Sequence, residues 1–137
     1  KACTTTGTTC TVSGLTNGVS YTFAAVLRTS TMTSATSAPS TALVAARVPV
    51  RPAAPTVTVV GPGTAALSWT PPTYDGGLPV TSYEVLVGNG PRVVCTTGAL
   101  SCPVTGLTAG SYWFTVVAIN EAGRSANSSG SAVVRVS

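Results

Sequence analysis

Residues 102–120, CPVTGLTAGSYWFTVVAIN, decide the fold of this chain. They predict the end of one strand, a tight turn between Gly106 and Gly110, and a second, longer strand. In the longer strand apolar side chains recur at every second position, the period of a strand with one buried face. These side chains belong to Tyr112, Phe114, Val116 and Ala118.

An earlier stretch repeats this pattern. Residues 10–27 read CTVSGLTNGVSYTFAAVL, and their alternating face carries Tyr21, Phe23, Ala25 and Leu27. The offset is 92 residues at the cysteines (102 − 10) and 91 at the tyrosines (112 − 21), so the turn gained or lost one residue. A period of this size indicates a repeated β-sandwich domain rather than a short solenoid unit.

The composition favours strands and argues against two classes of partner. Only 7% of the 137 residues are charged and 44% are hydrophobic, so serine and threonine fill the polar positions. The net charge is +4, but the basic residues are scattered, whereas nucleic-acid binding needs a clustered basic face. No run of 18 apolar residues occurs, so membrane insertion is not expected.

The four cysteines indicate an oxidising compartment. Cys3 and Cys10 are seven residues apart, as are Cys95 and Cys102. Four cysteines allow three pairings, and the repeat favours Cys3–Cys10 and Cys95–Cys102, since each copy then carries its own bridge. Metal binding is disfavoured because histidine and the C-x2-C spacing are absent. Paired disulfides predict a secreted or extracellular protein, at a cell surface or on a virion.

The two copies differ in completeness. Residues 1–48 predict only three or four strands, at 2–5, 8–12, 20–28 and 41–48, and their apolar face then needs strands from upstream residues or from a neighbouring molecule. Residues 49–55 contain three prolines and predict a stiff linker. Residues 56–137 predict seven short strands separated by turns, hence an all-β fold, an antiparallel two-sheet sandwich. The predicted strands are 56–60, 64–70, 80–87, 92–96, 100–104, 111–120 and 129–136.

At this point the residues resemble a fibronectin type III domain, and the resemblance covers residues 52–136. Its features are Pro52 and Pro55 before the first strand, Trp69 before Pro71-Pro72, Gly76-Gly77 before Pro79-Val80, Tyr83, and the alternating run from Gly106 to Asn120 followed by Gly123. The cysteine pair is similar to that of disulfide-bearing, threonine-rich versions in secreted bacterial proteins. Residues 1–48 resemble the last three strands of a second copy.

The resemblance implies structural roles for the marked residues. Trp69 is expected to fill the core between the sheets, and the Tyr112 hydroxyl to bond the backbone near Leu107 as a tyrosine corner. The bridge Cys95–Cys102 is expected to join the fourth strand to the fifth. The predicted structural core comprises Trp69, Tyr83, Leu107, Tyr112, Phe114, Tyr21 and Phe23.

The sequence offers no set of residues for catalysis. Histidine is absent, and the acidic residues are Asp75, Glu84 and Glu121. The loops of Asp75 and Glu121 share one end of such a sandwich, but two solvated loop charges are the simpler interpretation of that pair. We therefore expect no enzyme activity, no cofactor and no metal site.

One surface is a candidate for partner binding. The outward face of the sixth predicted strand, with the neighbouring third strand, predicts an apolar patch of Leu86, Trp113, Val117 and Ile119. The alternative is a Trp113 covered by the protein's own side chains. The loop after the sixth strand contains no Arg-Gly-Asp, so integrin binding is not predicted.

These observations favour a non-catalytic extracellular module, a spacer or building block of a cell-surface or fibre assembly. Protein partners or self-association are expected, including completion of the first domain by strands of another subunit. Two alternatives remain open. One is an accessory domain of a secreted polysaccharide-degrading enzyme, with polysaccharide contact through the parent protein. The other is an adhesive or carbohydrate-binding module, for which only Trp113 and Tyr74 are candidate aromatic contacts.

Overall fold

The computed structural model describes residues 2–88 and 90–137. Lys1, in the predicted 1–48 domain, and Asn89, which follows the third predicted strand, lie outside the described residues. Every regular element in the described part is a β-strand, and all strand pairs are antiparallel. The predicted all-β antiparallel fold is therefore confirmed. The chain divides into two compact units, residues 1–46 and 47–137.

The first unit contains one short ladder, in which β1 (Ser20–Tyr21) pairs with β2 (Leu43–Val44). The predicted strands at 2–5 and 8–12 do not form, and the predicted strand at 20–28 is regular only at its start. A strand needs a hydrogen-bonded neighbour, and the described residues of this unit supply too few of them. None of these residues is buried.

The second unit is a sandwich in which each predicted strand has a counterpart. Its strands are β3 (Thr56–Gly61), β4 (Thr64–Ser68), β5 (Ser82–Val87), β6 (Val93–Thr97), β7 (Ser101–Val104), β8 (Gly110–Tyr112), β9 (Phe114–Asn120), β10 (Gly123–Arg124) and β11 (Val134–Val136). One sheet has the order β3-β4-β7 and the other β10-β9-β5-β6, while β11 pairs with β8. The long predicted strand 111–120 divides at Trp113, where the chain changes its pairing partner from β11 to β5.

The core lies between the sheets and contains the predicted core residues of the second unit. The predicted core residues Tyr21 and Phe23 belong instead to the first unit, where neither is buried, because no second sheet of the described residues covers them there. Trp69 is 6% exposed, and its ring meets the edge of the Tyr83 ring at a centroid distance of 5.6 Å. Phe114 is fully buried, and the Tyr112 ring stacks against it at 6.3 Å. The Tyr112 hydroxyl donates to the Thr108 carbonyl at 3.0 Å, the expected tyrosine corner beside Leu107. The sequence-predicted core of the second unit is therefore assembled.

Both disulfides pair as the repeat predicted, but their surroundings differ. Cys95 lies in β6 and Cys102 in β7, with a Cα–Cα distance of 6.6 Å. Each of these strands is the outermost of its sheet, so the bridge fastens the two sheets along one side of the sandwich. Cys3 and Cys10, 6.1 Å apart at Cα, are exposed and belong to no strand.

The start of the last predicted strand, 129–136, is irregular, and three serines in this region bond to β9. Ser125, Ser128 and Ser131 donate their backbone N–H groups to the carbonyls of Ala118, Val116 and Phe114, each at 2.9 Å. In return, the N–H groups of the same three β9 residues donate to the serine hydroxyl oxygens. Successive serines of this pattern are three residues apart, whereas their partners in β9 are two residues apart. Residues 125–131 therefore run alongside β9 without forming a regular strand. We call this pattern the serine ladder.

The first unit contains the same serine ladder. Ser34, Ser37 and Ser40 exchange the equivalent bonds with Leu27, Ala25 and Phe23. Sequence reasoning missed this feature, although a Ser-x-x-Ser-x-x-Ser spacing marks it in both copies. A period of three belongs to neither the strand nor the helix pattern, which is why a periodicity search passes over it.

Replacing Ser128 with alanine is expected to lower the free energy of unfolding of the second unit by about 1–2 kcal/mol. The Val116 N–H is buried, and loss of the Ser128 hydroxyl leaves it without an acceptor. Urea denaturation of Ser128→Ala measures the change. The exposed neighbour Ser129 is the control, and Ser129→Ala should stay within about 0.5 kcal/mol of wild type. Equal effects of the two substitutions would contradict the assigned role.

Candidate functional surfaces

The predicted partner patch is not an exposed surface in the structure. Leu86 and Val117 are 4% and 1% exposed, and Trp113 and Ile119 are half-buried. As an exposed apolar patch, this prediction is wrong, and the alternative of a covered Trp113 describes the face better.

The covering groups come from the chain around β9. Trp113 lies between Gly88 and Gly130, and a Cβ atom at Gly130 would approach the indole ring to 2.7 Å. The Thr115 hydroxyl donates to the Gly88 carbonyl at 2.7 Å. Beside Val117, Glu84 of β5 forms an ion pair with Arg124. The outer face of β9 is thus a second packed layer, which strand alternation alone does not reveal.

The three carboxylates do not converge on a reaction centre. Asp75 accepts the Gly77 N–H at 2.9 Å, which closes its own loop, and Glu84 is paired with Arg124. Glu121 is exposed. Across residues 2–88 and 90–137, no group of three or more His, Cys, Asp or Glu side chains lies close enough to hold a metal ion. No helix among the same residues is long and apolar enough to cross a membrane.

Asn120 joins three segments at one end of the second unit. Its side-chain N–H groups donate to the carbonyls of Arg47 and Asp75, at 2.9 and 2.7 Å. Its side-chain oxygen accepts the N–H groups of Ala122 and Gly123. The residue is 3% exposed, so these bonds satisfy a buried amide completely. The loops of Asp75 and Glu121 lie at this same end of the second unit. The side-chain amide of Asn120, rather than a pair of carboxylates, connects them.

The segment predicted as a linker packs on the second unit. Arg47 donates its N–H to the Gly76 carbonyl, and Val50 to the Tyr74 carbonyl, both at 3.0 Å. The Arg47 guanidinium lies 5.1 Å from the centre of the Tyr74 ring. Gly76 has φ +86, and a Cβ atom there would collide with the Arg47 carbonyl oxygen, so this contact requires glycine.

The prolines of this segment explain why it packs on the second unit instead of forming a free linker. Pro49, Pro52 and Pro55 are all buried. Proline has a fixed φ, so the segment is already extended before it docks and loses little entropy on docking. In the structure residues 47–55 belong to the second unit. The predicted boundaries at 48 and 55 stay predictions.

Replacing Asn120 with alanine is expected to loosen residues 47–50 while leaving the core intact. The Arg47 carbonyl loses its buried donor, so local opening of this segment becomes easier. Hydrogen exchange at the Arg47 and Val50 amides should accelerate on the order of tenfold. Exchange at Val116, in the centre of β9, is the internal control and should change much less. Uniform acceleration at all three amides would show that Asn120 supports the whole unit instead.

One open depression borders this end of the unit. It has a volume of 480 Å³ and is lined by Pro71, Pro72, Thr73, Tyr74, Asp75, Pro79, Val80 and Tyr83. Its most exposed aromatic ring, that of Tyr74, is stacked by Arg47. Burial raises the pKa of the Tyr83 hydroxyl above its ordinary value of 10.0. The lining offers neither a nucleophile–base pair nor a row of free aromatic rings.

The raised pKa of Tyr83 makes the second unit sensitive to alkali. The unfolded chain releases the Tyr83 proton near pH 10, before the folded protein does, so ionisation favours unfolding. This contribution to stability is complete below pH 10 and is lost as the pH rises through the higher folded-state pKa. Tyr83→Phe should flatten the alkaline loss of stability in urea titrations across this range. An unchanged pH profile would contradict the assignment to Tyr83.

The first unit exposes an apolar sheet face, which we call the open face. Leu27 is 71% exposed and Leu43 60%. Phe23 and Ala25 complete the same face, at the positions of Phe114 and Val116 in the repeat. In the second unit both counterparts are fully buried. The sequence predicted an uncovered apolar face in this part of the chain.

Comparisons with known proteins find matches for the second unit. The family model that matches is the fibronectin type III domain, over residues 50–134. Titin domains A168–A170 are 31% identical, with a TM-score of 0.62, over 66% of this chain and 33% of that one. A titin module, A71 from human cardiac muscle, is 31% identical over 63% and 90% of the two chains, with a TM-score of 0.54. The twitchin kinase region of C. elegans is 30% identical over 65% and 17%, with a TM-score of 0.58. The chain thus spans a third or less of the multidomain structures it matches.

Proposed function

Because the chain belongs to the fibronectin type III domain family, we propose that it is a non-catalytic structural module of an extracellular protein. It acts as a spacer or a building block in a cell-surface or fibre assembly. The supporting observation is the bridge between β6 and β7, which fastens the outermost strands of the two sheets. Such a bridge persists in an oxidising compartment and adds stability by restricting the unfolded chain.

The polar contacts of the second unit agree with a mechanical role. Asn120 and the Glu84–Arg124 pair join one part of the fold to another, and the Asp75 carboxylate closes its own loop. The proline segment is bonded to one end of the second unit through the N–H groups of Arg47 and Val50. A sandwich held together at its side and at its end keeps a defined length, which is what a spacer requires.

Fractionation of the natural source tests the location. The expected result is a chain in the culture fluid or cell-surface fraction, with the peptides of Cys95 and Cys102 joined in a mass spectrum taken without reduction. A cytosolic chain with alkylatable thiols would overturn the extracellular proposal. Imaging of the same fraction then separates the two structural roles, since a fibre component forms regular polymers and a spacer does not.

Incubation with polysaccharides tests the non-catalytic part. We expect no release of soluble sugars from insoluble cellulose or chitin, and no retention of the chain on either. Release of sugars would overturn the proposal. Retention that Tyr74→Ala abolishes would favour the adhesive alternative, since Tyr74 is the aromatic ring at the rim of the depression.

A further inference from the structure

We propose that the turn at residues 30–33 of the first unit is a site of O-linked glycosylation, with sugar attached to the hydroxyls of Ser30, Thr31 and Thr33. This rests on the proposed function, since it places the chain in the secretory compartments where such sugars are added. An acceptor hydroxyl has to be accessible to the enzyme and free of bonds that hold the fold together. These two requirements separate the hydroxyls of this part of the chain.

Hydroxyl groups are dense around the turn. Nine of the 13 residues from Thr29 to Thr41 are serine or threonine, and Pro39 lies among them. No charged residue occurs between positions 29 and 46. All 13 residues are exposed. A run rich in serine and threonine with proline is typical of O-glycosylated segments.

The exposure of the turn does not depend on what covers the open face. The bridge between Arg28 and Thr33 repeats the pairing of Ile119 with Arg124, so residues 30–33 correspond to 121–124. In the complete sandwich of the second unit, the counterparts of the three proposed acceptors are all exposed, namely Glu121, Ala122 and Arg124. The turn therefore faces solvent in both copies.

Four neighbouring hydroxyls already make structural bonds. In the serine ladder each hydroxyl oxygen accepts an N–H group at 3.0 Å and donates to the carbonyl of the next residue at 2.8–2.9 Å; these serines are Ser34, Ser37 and Ser40. The Thr29 hydroxyl accepts the Met32 N–H at 3.0 Å and donates to the Met32 carbonyl. A sugar on any of these oxygens would remove the donated hydrogen bond, so they are poor acceptors.

The hydroxyls of the turn are free. Among the hydrogen bonds of the described residues, none involves the side-chain oxygen of Ser30, Thr31 or Thr33. Attachment of a sugar to these oxygens breaks no contact within the unit. Thr36 and Thr41 also have free hydroxyls, but each is next to a serine bonded in the ladder, so their backbone is held beside a strand. A transferase has to take the acceptor chain into its active site, which favours the turn.

The turn also lacks the charges that solvate its counterpart. Glu121 and Arg124 in the second unit are replaced by Ser30 and Thr33 in the first. Met32, between the acceptors, is 73% exposed. Attached sugar is bulky and strongly hydrated, so it supplies the solvation that charged side chains supply in the other copy.

The modification is a group transfer without a change in oxidation state. The donor is a sugar activated by a phosphate ester at its anomeric carbon. The hydroxyl oxygen forms a bond to that carbon, and the bond between the carbon and the phosphate oxygen breaks. The electron pair of the broken bond leaves with the phosphate, and the hydroxyl proton passes to a base of the transferase.

Mass spectrometry of the chain from its natural source tests the proposal. Trypsin cleaves after Arg28 and Arg47, so residues 29–47 form one peptide, while residues 125–135 form a second that contains the other serine ladder. We expect the first peptide to be heavier than its sequence by whole sugar units. Fragmentation that preserves the linkage should locate sugar within residues 30–33. The ladder serines of both peptides should be unmodified.

Two variants made in the natural source identify the acceptors. The combined substitution Ser30→Ala, Thr31→Ala and Thr33→Ala should remove the mass added to the turn. Its matched control, Thr31→Ser with Thr33→Ser, keeps every hydroxyl and should keep the sugar. The three side chains are exposed, so both variants leave the rest of the first unit unchanged.

Three results would overturn the inference: a first peptide with the mass of its sequence, sugar confined to the ladder serines, or an alanine variant that keeps the full added mass. Failure of the proposed function is distinguishable from these. A chain in the culture fluid with joined Cys95 and Cys102 peptides but a bare turn overturns the glycosylation alone. A cytosolic chain with alkylatable thiols overturns the extracellular location.

Discussion

Replacing Trp69 with alanine should lower the free energy of unfolding of the second unit by about 3–5 kcal/mol. The indole lies between the sheets, 6% exposed, and touches the edge of the Tyr83 ring. Removing it deletes the largest side chain of the core and leaves a cavity that rigid strands on both sides cannot close. A domain of this size has about 5–15 kcal/mol in total, so the variant loses a large part of its stability.

Trp69→Phe separates the loss of ring contact from the loss of volume. The indole N–H of Trp69 is buried, and among the described residues nothing accepts a hydrogen bond from it. Phenylalanine keeps an aromatic ring against Tyr83 and removes this unpaired donor, which offsets part of the lost packing. We therefore expect a loss well below that of the alanine variant.

Urea denaturation measures both variants, and Trp113 provides the fluorescence signal in each. Trp113 is half-buried between Gly88 and Gly130, so its emission reports unfolding of the same unit. A loss of less than about 1 kcal/mol for Trp69→Ala would show that Trp69 is not the centre of the core. An alanine variant that is no worse than the phenylalanine variant would contradict the cavity argument.

Strand alternation was sufficient to predict the core of the second unit. Phe114, Val116 and Ala118 alternate on β9, and all three are fully buried. The glycine turn before Tyr112 and the tyrosine corner also lie where the motif placed them. These features are local in sequence, since one strand and one turn specify them. Such features can be predicted without knowing which strand pairs with them.

The outer face of β9 could not be predicted in the same way. Val117 has the spacing of a solvent-facing residue, but the Glu84–Arg124 ion pair lies beside it. These two residues come from β5 and β10, so their arrival depends on tertiary structure. The same applies to Asn120, whose partners Arg47 and Asp75 are 73 and 45 residues away in the chain.

The open face was predictable because it follows from the small number of strands in residues 1–48 and requires no knowledge of long-range contacts. Residues 1–48 have too few strands to cover Phe23 and Leu27. The structure adds what the count did not contain. The serine ladder shows that residues 20–45 already have the geometry of a finished half-sandwich. The backbone groups of Phe23, Ala25 and Leu27 are bonded by the serine ladder, although the apolar face that carries these residues is uncovered in the described residues.

The two disulfides should differ in their effect on the second unit, although each closes a loop with the same sequence separation of 7. Replacing Cys95 and Cys102 with alanine should lower the free energy of unfolding of this unit by about 2–3 kcal/mol, the chain-entropy value for a loop of about eight residues. Replacing Cys3 and Cys10 should change it by less than about 0.5 kcal/mol. The reason is location, because β6 and β7 must separate when the sandwich unfolds, whereas the exposed Cys3–Cys10 loop belongs to another compact unit.

Tryptophan fluorescence isolates the relevant transition, since Trp69 and Trp113 both lie in the second unit. The Cys3/Cys10 double variant is a matched control, as it removes an equal loop and the same two sulfur atoms. A small additional loss is expected for the Cys95/Cys102 variant, because Cys102 is 7% exposed and packs in the core. Equal losses in the two variants would mean that the first bridge also restrains the sandwich. No loss in either would mean that the β6–β7 side is held without its bridge, and the bracing role proposed for this module would then fail.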